Sequence, residues 1–373
     1  MALAPDFARA LFEVSSDSAW EVLADARAAA VDPRTRARAT VTMTNFALTG
    51  GLHHPSEQRT AWRDEARVIF EETGDELGLA LFWWSSAMES WFGLKAQETA
   101  VACERSLVHL ERYGSPSFRI GPPVRGRLLS AYLHGPLPVD EAIERIRAVS
   151  AGEHGLLERA WERQNLGRLL AMKGEFEEAR DLASAREVYA EAGQLSSAGG
   201  MTLGEGEVEF RAGDLDAEER VLREGIEVLE RIGERAYYPT AALCLAECLY
   251  RAGRDSAEIE ELCDKAREAT GADDLVNFVW LDMMRGLLHA RRGEHEQAEE
   301  RARRAVALTK TTDFHNARAF SRAFLAEVFA LAGRGEEAAE MAARSFEIFE
   351  AKGDVAGGAQ FRARLASLGV TVD

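Results

Sequence analysis

The chain contains few of the residues that disulfide scaffolds, long loops and membrane spans require. Among its 373 residues are nine prolines and four cysteines, Cys103, Cys244, Cys248 and Cys263. So few cysteines do not make a disulfide-rich secreted domain, and no apolar run reaches the roughly 18 residues that cross a bilayer. The amino terminus has no basic segment ahead of an apolar stretch, as a signal peptide would. We therefore expect a cytoplasmic protein with reduced cysteines and no membrane partner.

The chain also has fewer positively charged residues than negatively charged ones. The 45 lysines and arginines are outnumbered by 63 aspartates and glutamates, which leaves a formal net charge of −18. A surface of this sign repels phosphate backbones, so direct binding to nucleic acid is not expected. Hydrophobic residues make up 46% of the chain, which is enough to build a buried core.

A period of 40 residues organises most of the chain. Short glycine turns recur with steps of 39, 40, 40 and 40 residues, and each precedes an acidic, alanine-containing segment. The turn glycines are Gly174, Gly213, Gly253, Gly293 and Gly333. A small residue lies seven positions before each of them. One glycine turn and two helical segments in each period predict a stacked two-helix repeat, in which glycine ends the first helix.

The spacing of these residues resembles that of the tetratricopeptide repeat (TPR). The pattern is a small residue, a glycine seven positions later and an alanine five positions after that, as in Gly167, Gly174 and Ala179. Residues 74–368 further resemble the C-terminal helical-repeat region of large bacterial signalling proteins, through segments such as GPLPVDEAIERI and FEAKGDVAGGAQFRARL. Those proteins also carry cyclase or transcription-activator modules and an AAA- or STAND-type ATPase. No G-x-x-x-x-G-K-[ST] motif occurs here, so ATPase or cyclase activity is not inferred, and whether the chain is stand-alone or part of a larger regulator stays open.

The resemblance implies an all-α fold, a right-handed TPR-like α-solenoid. We expect about eight helix-turn-helix repeats of roughly 40 residues, with helical caps at both ends. Residues 1–32 would form the N-terminal cap, residues 33–353 the solenoid and residues 354–373 the C-terminal capping helix. The unit near residues 117–150 is expected to be irregular, because five of the nine prolines lie between positions 116 and 138.

Motifs that would support catalysis are weak. Gly333–Ala338 matches G-x-G-x-x-A, but it joins two helices, whereas a dinucleotide site needs a preceding strand. Cys244, Cys248 and Cys263 lack a nearby histidine and are expected to be buried apolar residues. No nucleophile comes with a placed base. The sequence therefore predicts no enzyme, no catalytic residue, no metal site and no cofactor.

In TPR arrays, positions 2, 5, 9, 12 and 13 of each first helix line a concave groove. Counting these positions predicts a mixed surface of aromatic, acidic and arginine side chains, which suits an extended peptide or an amphipathic helix. The same charges also form pairs four residues apart on one helix, which need no ligand. The predicted groove residues are Phe82, Glu89, Phe92, Trp161, Arg168, Glu207, Phe210, Arg211, Glu247, Tyr250, Arg251, Trp280, Arg291, Phe320 and Glu327.

The segment FWWSSAMESWF, residues 82–92, concentrates three of the seven tryptophans. Trp84 and Trp91 fall at positions 4 and 11 of a first helix, where the TPR pattern itself places core aromatics. A strip of Phe82, Glu89 and Phe92 remains as the part of this segment predicted to face the groove.

Three functions remain open at this point. The leading hypothesis is a non-catalytic scaffold or sensor that binds a partner protein or peptide in its groove, in signalling, transcriptional regulation or assembly. The second is a regulator that binds a small molecule or signalling peptide inside the solenoid, and the third is an enzyme without a recognisable motif. A closed pocket lined by aromatic and polar groups would favour the second, and an open groove the first. A homo-oligomer stays open.

Overall fold

The computed structural model describes residues 16–49, 55–115, 124–152, 154–183 and 185–371, together with Ala8, Ala10 and Leu11. Within these residues the regular secondary structure is helical. The helices are α1 (Ser16–Ala29), α2 (Pro33–Thr49), α3 (Ser56–Thr73), α4 (Glu76–Phe92), α5 (Ala96–Tyr113), α6 (Val124–His134), α7 (Val139–Val149), α8 (Leu156–Lys173), α9 (Phe176–Ala183), α10 (Arg186–Glu191), α11 (Leu195–Ala212), α12 (Leu215–Arg231), α13 (Tyr238–Arg251), α14 (Ser256–Ala269), α15 (Leu275–Arg291), α16 (His295–Leu308), α17 (His315–Leu331), α18 (Gly335–Lys352) and α19 (Val355–Ser367).

The predicted all-α solenoid is confirmed. Helices pack as consecutive pairs, such as α4 with α5, α11 with α12 and α17 with α18, and most first helices also contact the first helix of the next pair. The small residues that recur in each 40-residue period allow the two helices of a pair to pack closely. A Cβ atom at Gly167 would lie 2.6 Å from the carbonyl oxygen of Ala179, so glycine allows α9 to pack closely on α8.

The turn glycines have the conformation that the period predicts. Gly174 and Gly213 end α8 and α11 in the left-handed region, at φ of +90° and +76°. Their N–H groups donate to carbonyls of the last helical turn, which would otherwise lack partners. A side chain at either position would strain the backbone, which explains why glycine returns at this point of the repeat.

The unit around residues 117–150 departs from the pattern. Its helices α6 and α7 have only 11 residues each, and α7 begins after Pro138. Three of the prolines that predicted this irregularity, Pro116, Pro122 and Pro123, lie outside the described residues. Most of residues 1–15 of the expected N-terminal cap also lie outside them.

The array closes on itself. The Asp313 carboxylate accepts hydrogen bonds from the backbone N–H groups of Ala96 and Gln97, 217 and 216 residues away. The Lys352 ammonium donates to the carbonyls of Tyr132 and Gly135, at 3.2 and 2.8 Å. An open solenoid would have contacts between neighbouring repeats only. Here the last repeats contact the early ones, and the first helices of the repeats surround an interior.

The last helix, α19, lies inside this closed array. It packs against α8, α11 and α17 as well as against α18, the helix that precedes it. Phe361 is at the centre of this contact, with its ring 5.8 Å from that of Phe210 and 4.8 Å from that of Phe320. The helix therefore covers part of the inner face that the first helices present.

Candidate functional site

A cavity of about 240 Å³ lies inside the closed array. Its wall is built by the inner faces of α2, α4, α6, α8, α11, α13 and α15 and by the start of α17. The parts of α11, α13 and α17 nearer their N-termini face the cavity, whereas the parts farther along contact α19. The aromatic residues of the wall are Phe46, Trp84, Trp91, Phe92, Trp161, Tyr237, Trp280 and Phe314.

Two glycines of α11 let larger side chains reach the cavity wall. A Cβ atom at Gly200 would lie 2.8 Å from ring atoms of Tyr237, and one at Gly204 would lie 2.8 Å from Gln164 and 3.0 Å from Arg168. These separations are shorter than van der Waals contact. The glycines therefore make room for the polar groups of the neighbouring helices.

A buried polar chain crosses one side of the cavity. Arg168 binds Glu207 through two hydrogen bonds, at 3.2 and 2.6 Å, and its Nη2 donates to Nε2 of His134 at 2.8 Å. Because His134 Nε2 accepts, the imidazole is neutral with its proton on Nδ1. Burial, together with the neighbouring Arg168, holds the pKa of His134 well below its usual value. Burial raises the pKa of Glu207, but Arg168 and Arg211 outweigh it, so the net pKa is lowered.

Arg127 forms another part of the wall. Its guanidinium lies 4.1 Å from the ring centre of Trp91 and 5.9 Å from that of Trp161. It donates a side-chain hydrogen bond to Tyr237. Burial lowers the pKa of Arg127, because a charge inside the protein loses its hydration.

Asp274 is the second acidic residue of the wall, and its carboxylate is already occupied. It caps α15, accepting from the backbone N–H of Asn277 at 3.2 Å and from the Asn277 side chain at 2.6 Å. Burial raises the pKa of Asp274 to about 7, although these hydrogen bonds oppose the shift. Its structural role is to begin α15 at the edge of the cavity.

The structure divides the predicted groove residues into two main sets. Phe92, Trp161, Arg168, Glu207 and Trp280 line the cavity. Most of the others contact residues of α19 or its N-terminal cap, Asp354; these are Phe210, Arg211, Glu247, Tyr250, Phe320 and Glu327. That these residues bind a separate partner stays a prediction.

The four remaining predicted residues lie outside the cavity wall and interact with residues of other helices. Arg251 pairs with Glu218 and Glu247, and Arg291 donates to the Tyr250 carbonyl. Glu89 pairs with Arg63. Phe82 belongs to a core cluster with Phe70, so Phe82, Glu89 and Phe92 do not form one strip along the cavity.

Counting repeat positions missed several residues of the wall. Trp84 belongs to a core cluster and Trp91 packs against another, as expected, but both also line the cavity. Arg127 and His134 were missed because α6 is short and Gly135 does not have the positive φ of a turn glycine. Counting back 34 residues from α8 gives the correct register. Arg127 contacts Trp161 and His134 contacts Arg168, and the two residues of each pair are 34 positions apart.

This arrangement is suited to binding. Among the described residues no cluster of histidine, cysteine and carboxylate side chains could hold a metal ion. Cys244 lies in the cavity wall, where burial raises the pKa of its thiol well above the ordinary value and favours the protonated form. None of the described helices combines the length and apolar character needed to cross a membrane.

Residues 279–351 match the model of the tetratricopeptide repeat family. This segment of the chain carries the tetratricopeptide repeat pattern. No curated protein matches the sequence. Among solved structures, the TPR fold of this chain is similar to that in the APC/C hetero-tetramer Cut9–Hcn1, with 13% identity and a TM-score of 0.63 over 93% of this chain and 59% of that one. This chain therefore spans less than two thirds of the length of that relative.

Two further similarities are more distant. The apo quorum sensor NprR from B. thuringiensis is 13% identical, with a TM-score of 0.47 over 89% of this chain and 92% of that one. A STAND protein with a tetratricopeptide repeat sensor from Pyrococcus horikoshii is 10% identical, with a TM-score of 0.44 over 86% of this chain and 51% of that one.

Proposed function

We propose that this protein is a non-catalytic TPR sensor that binds a small organic ligand in the central cavity. The observation that carries the proposal is a cavity of about 240 Å³ whose wall combines tryptophan rings with a few fixed polar groups. Pockets of this composition bind small molecules, because the rings bury the apolar body and the polar groups fix its orientation.

The closed array favours this function over an extended peptide bound along the whole groove. Phe361 and Arg364 of α19 already contact the C-terminal halves of α11, α13 and α17. An external helix or peptide would have to displace α19 from these contacts. A ligand small enough for the cavity meets no such competition.

A protein partner is proposed to receive the signal on the outer surface. The TPR fold is shared with the APC/C hetero-tetramer Cut9–Hcn1, and this supports an assembly role for the fold. Ligand binding would change the stability of the closed array, since the ligand would contact helices from early and late repeats together. We assign the protein to regulation or assembly on this basis.

A cavity-filling substitution tests the proposal. Leu203 lies partly buried in the cavity wall, and Leu203→Trp places an indole in the space available to a ligand. Leu156→Trp makes the same change at a residue that is 66% exposed and serves as the matched control. The measurements are thermal shifts against a library of small metabolites and mass spectrometry of compounds that co-purify with each variant.

We expect wild type and Leu156→Trp to bind the same compounds, and Leu203→Trp to bind them at least about tenfold more weakly. Retained affinity in Leu203→Trp would place the ligand elsewhere. Absence of any small-molecule binding, together with peptide capture that depends on the predicted groove residues, would replace this proposal with the groove hypothesis.

A further inference from the structure

Arg127 differs from the other charged side chains around the cavity. Arg168 is neutralised by Glu207, and Asp274 is satisfied by Asn277 at the start of α15. Arg127 is 6% exposed, and among the described residues no carboxylate forms an ion pair with it. Its Nε atom is buried without a hydrogen-bond partner.

An unpaired guanidinium in this position is unfavourable for folding. Removing a charge from water costs free energy, which a carboxylate partner normally offsets. The chain does supply such partners at other buried arginines, as in Arg211 with Asp354 and Arg364 with Glu327. At Arg127 the indole rings of Trp91 and Trp161 and the Tyr237 hydroxyl compensate only in part.

We propose that Arg127 is the anion-binding group of the cavity and that the ligand is a small monocarboxylate with an apolar, preferably aromatic, body. This inference rests on the proposed function of the cavity. One guanidinium without a partner matches one negative charge, and its fork of N–H groups matches the two oxygens of a carboxylate.

A phosphate monoester, with up to two charges, would need a second free cation. The nearest candidate in the wall, Arg168, is engaged by Glu207 and His134. The apolar body would lie among Trp84, Trp91, Trp161 and Trp280, whose rings surround the same space. Charge and shape together therefore favour an aryl or alkyl carboxylate over a phosphorylated ligand.

The test compares probes that differ only in charge. Phenylacetate, 4-phenylbutyrate and 6-phenylhexanoate are titrated calorimetrically into the full chain, each beside its neutral primary amide, and 2-phenylethyl phosphate serves as the dianion. The variants are Arg127→Gln, Arg127→Lys and, as a control on the outer surface, Arg303→Gln. Arg303 is exposed and pairs with Glu299, so its loss makes the same chemical change away from the cavity.

We expect at least one carboxylate to bind about tenfold or more tightly than its amide and than the phosphate. Arg127→Gln should abolish that preference while amide binding persists, Arg127→Lys should keep part of it, and Arg303→Gln should leave it unchanged. Amide binding in Arg127→Gln shows that the cavity is still formed.

Two outcomes would overturn the inference alone. Equal affinity of acids and amides in the wild type, or a preference that survives Arg127→Gln, would leave a ligand-binding cavity without this anion site. A preference for the phosphate would assign a different ligand class. Absence of binding by every probe, acid and amide alike, would count against the proposed function of the cavity itself.

Discussion

Individual buried ionisable side chains join distant repeats in this protein. Lys352 is 1% exposed, and its ammonium is held by the carbonyls of Tyr132 and Gly135. Asp354 and Arg211, both almost completely buried, form an ion pair 2.8 Å long. Each of these contacts spans more than 140 residues of sequence, so the loss of one side chain affects the whole closure.

Lys352 gives a prediction about pH. Burial lowers the pKa of Lys352 from 10.5 to about 7, although Asp354 opposes the shift. Between about pH 7 and 10.5 the unfolded chain therefore binds more protons at this residue than the folded chain does, and stability rises with pH. Relative to Lys352→Met, the wild type should gain roughly 1 kcal/mol in free energy of unfolding from pH 7.5 to 8.5.

Urea unfolding at both pH values measures this difference. The window lies below the ordinary pKa of tyrosine hydroxyls but reaches that of cysteine thiols, about 8.5. Subtracting the variant removes the contributions of the cysteines and of other groups that both proteins share. Parallel curves for wild type and variant would show that Lys352 does not titrate in this range.

At the scale of the element, α19 connects several repeats, because it binds the inner faces of their first helices. Its N-terminus is capped by Asp354, which also binds Arg211 of α11. On the same helix, Arg364 binds Glu247 and Glu327. The helix is thus held at both ends by charges and in its middle by aromatic rings.

Phe361→Ala tests the contribution of this packing. The Phe361 ring is 2% exposed and contacts the rings of Phe210, Phe320, Phe324 and Phe349. Its truncation leaves a cavity, so we expect a loss of about 3–5 kcal/mol in free energy of unfolding. Val355→Ala on the same helix, where the side chain is 70% exposed, should cost less than about 1 kcal/mol. A loss for Phe361→Ala as small as that for Val355→Ala would show that the packing of the Phe361 ring contributes little to stability.

Elements were easier to predict from the sequence than the contacts between distant repeats. Turn glycines and small residues specify each helix pair locally, so the solenoid and the positions of Gly167 and Gly174 follow from spacing. The packing of α19 inside the array depends on contacts such as Arg211–Asp354, whose partners lie 143 residues apart. No periodicity encodes such a contact. Arg127 escaped prediction for a local reason, because the short helix α6 breaks the register by which positions were counted.

For the whole molecule, closure is the main departure from an open repeat array. Asp313 lies at one closing contact, where its carboxylate caps the N-terminus of α5. Arg59 and Asp273, 2.9 Å apart, form another between α3 and the segment before α15. These contacts hold early repeats against late ones, so the size of the cavity depends on all of them together.

Asp313→Ala should loosen the closure. We expect a loss of about 0.5–2 kcal/mol in free energy of unfolding, as for other helix caps, with faster hydrogen exchange at residues 94–97 and a larger radius of gyration in X-ray scattering. Asp255→Ala is the matched control, because Asp255 caps α14 through a local bond to Ala257. It should cost similar stability without changing the radius. An unchanged radius in both variants would show that the remaining contacts suffice for closure.

The placement of α19 has a consequence for the order in which the molecule forms. A ribosome releases the N-terminal repeats first, and neighbouring pairs such as α4 and α5 can form while synthesis continues. The contacts of Phe210, Glu247 and Glu327 with Phe361 and Arg364 form later, because α19 follows all of these repeats in the chain. Until then the nascent chain exposes the apolar inner face of its repeats. The finished interior is therefore assembled only after α19 has been synthesised, and a chain truncated before α19 would leave that face open to chaperones or to other nascent chains.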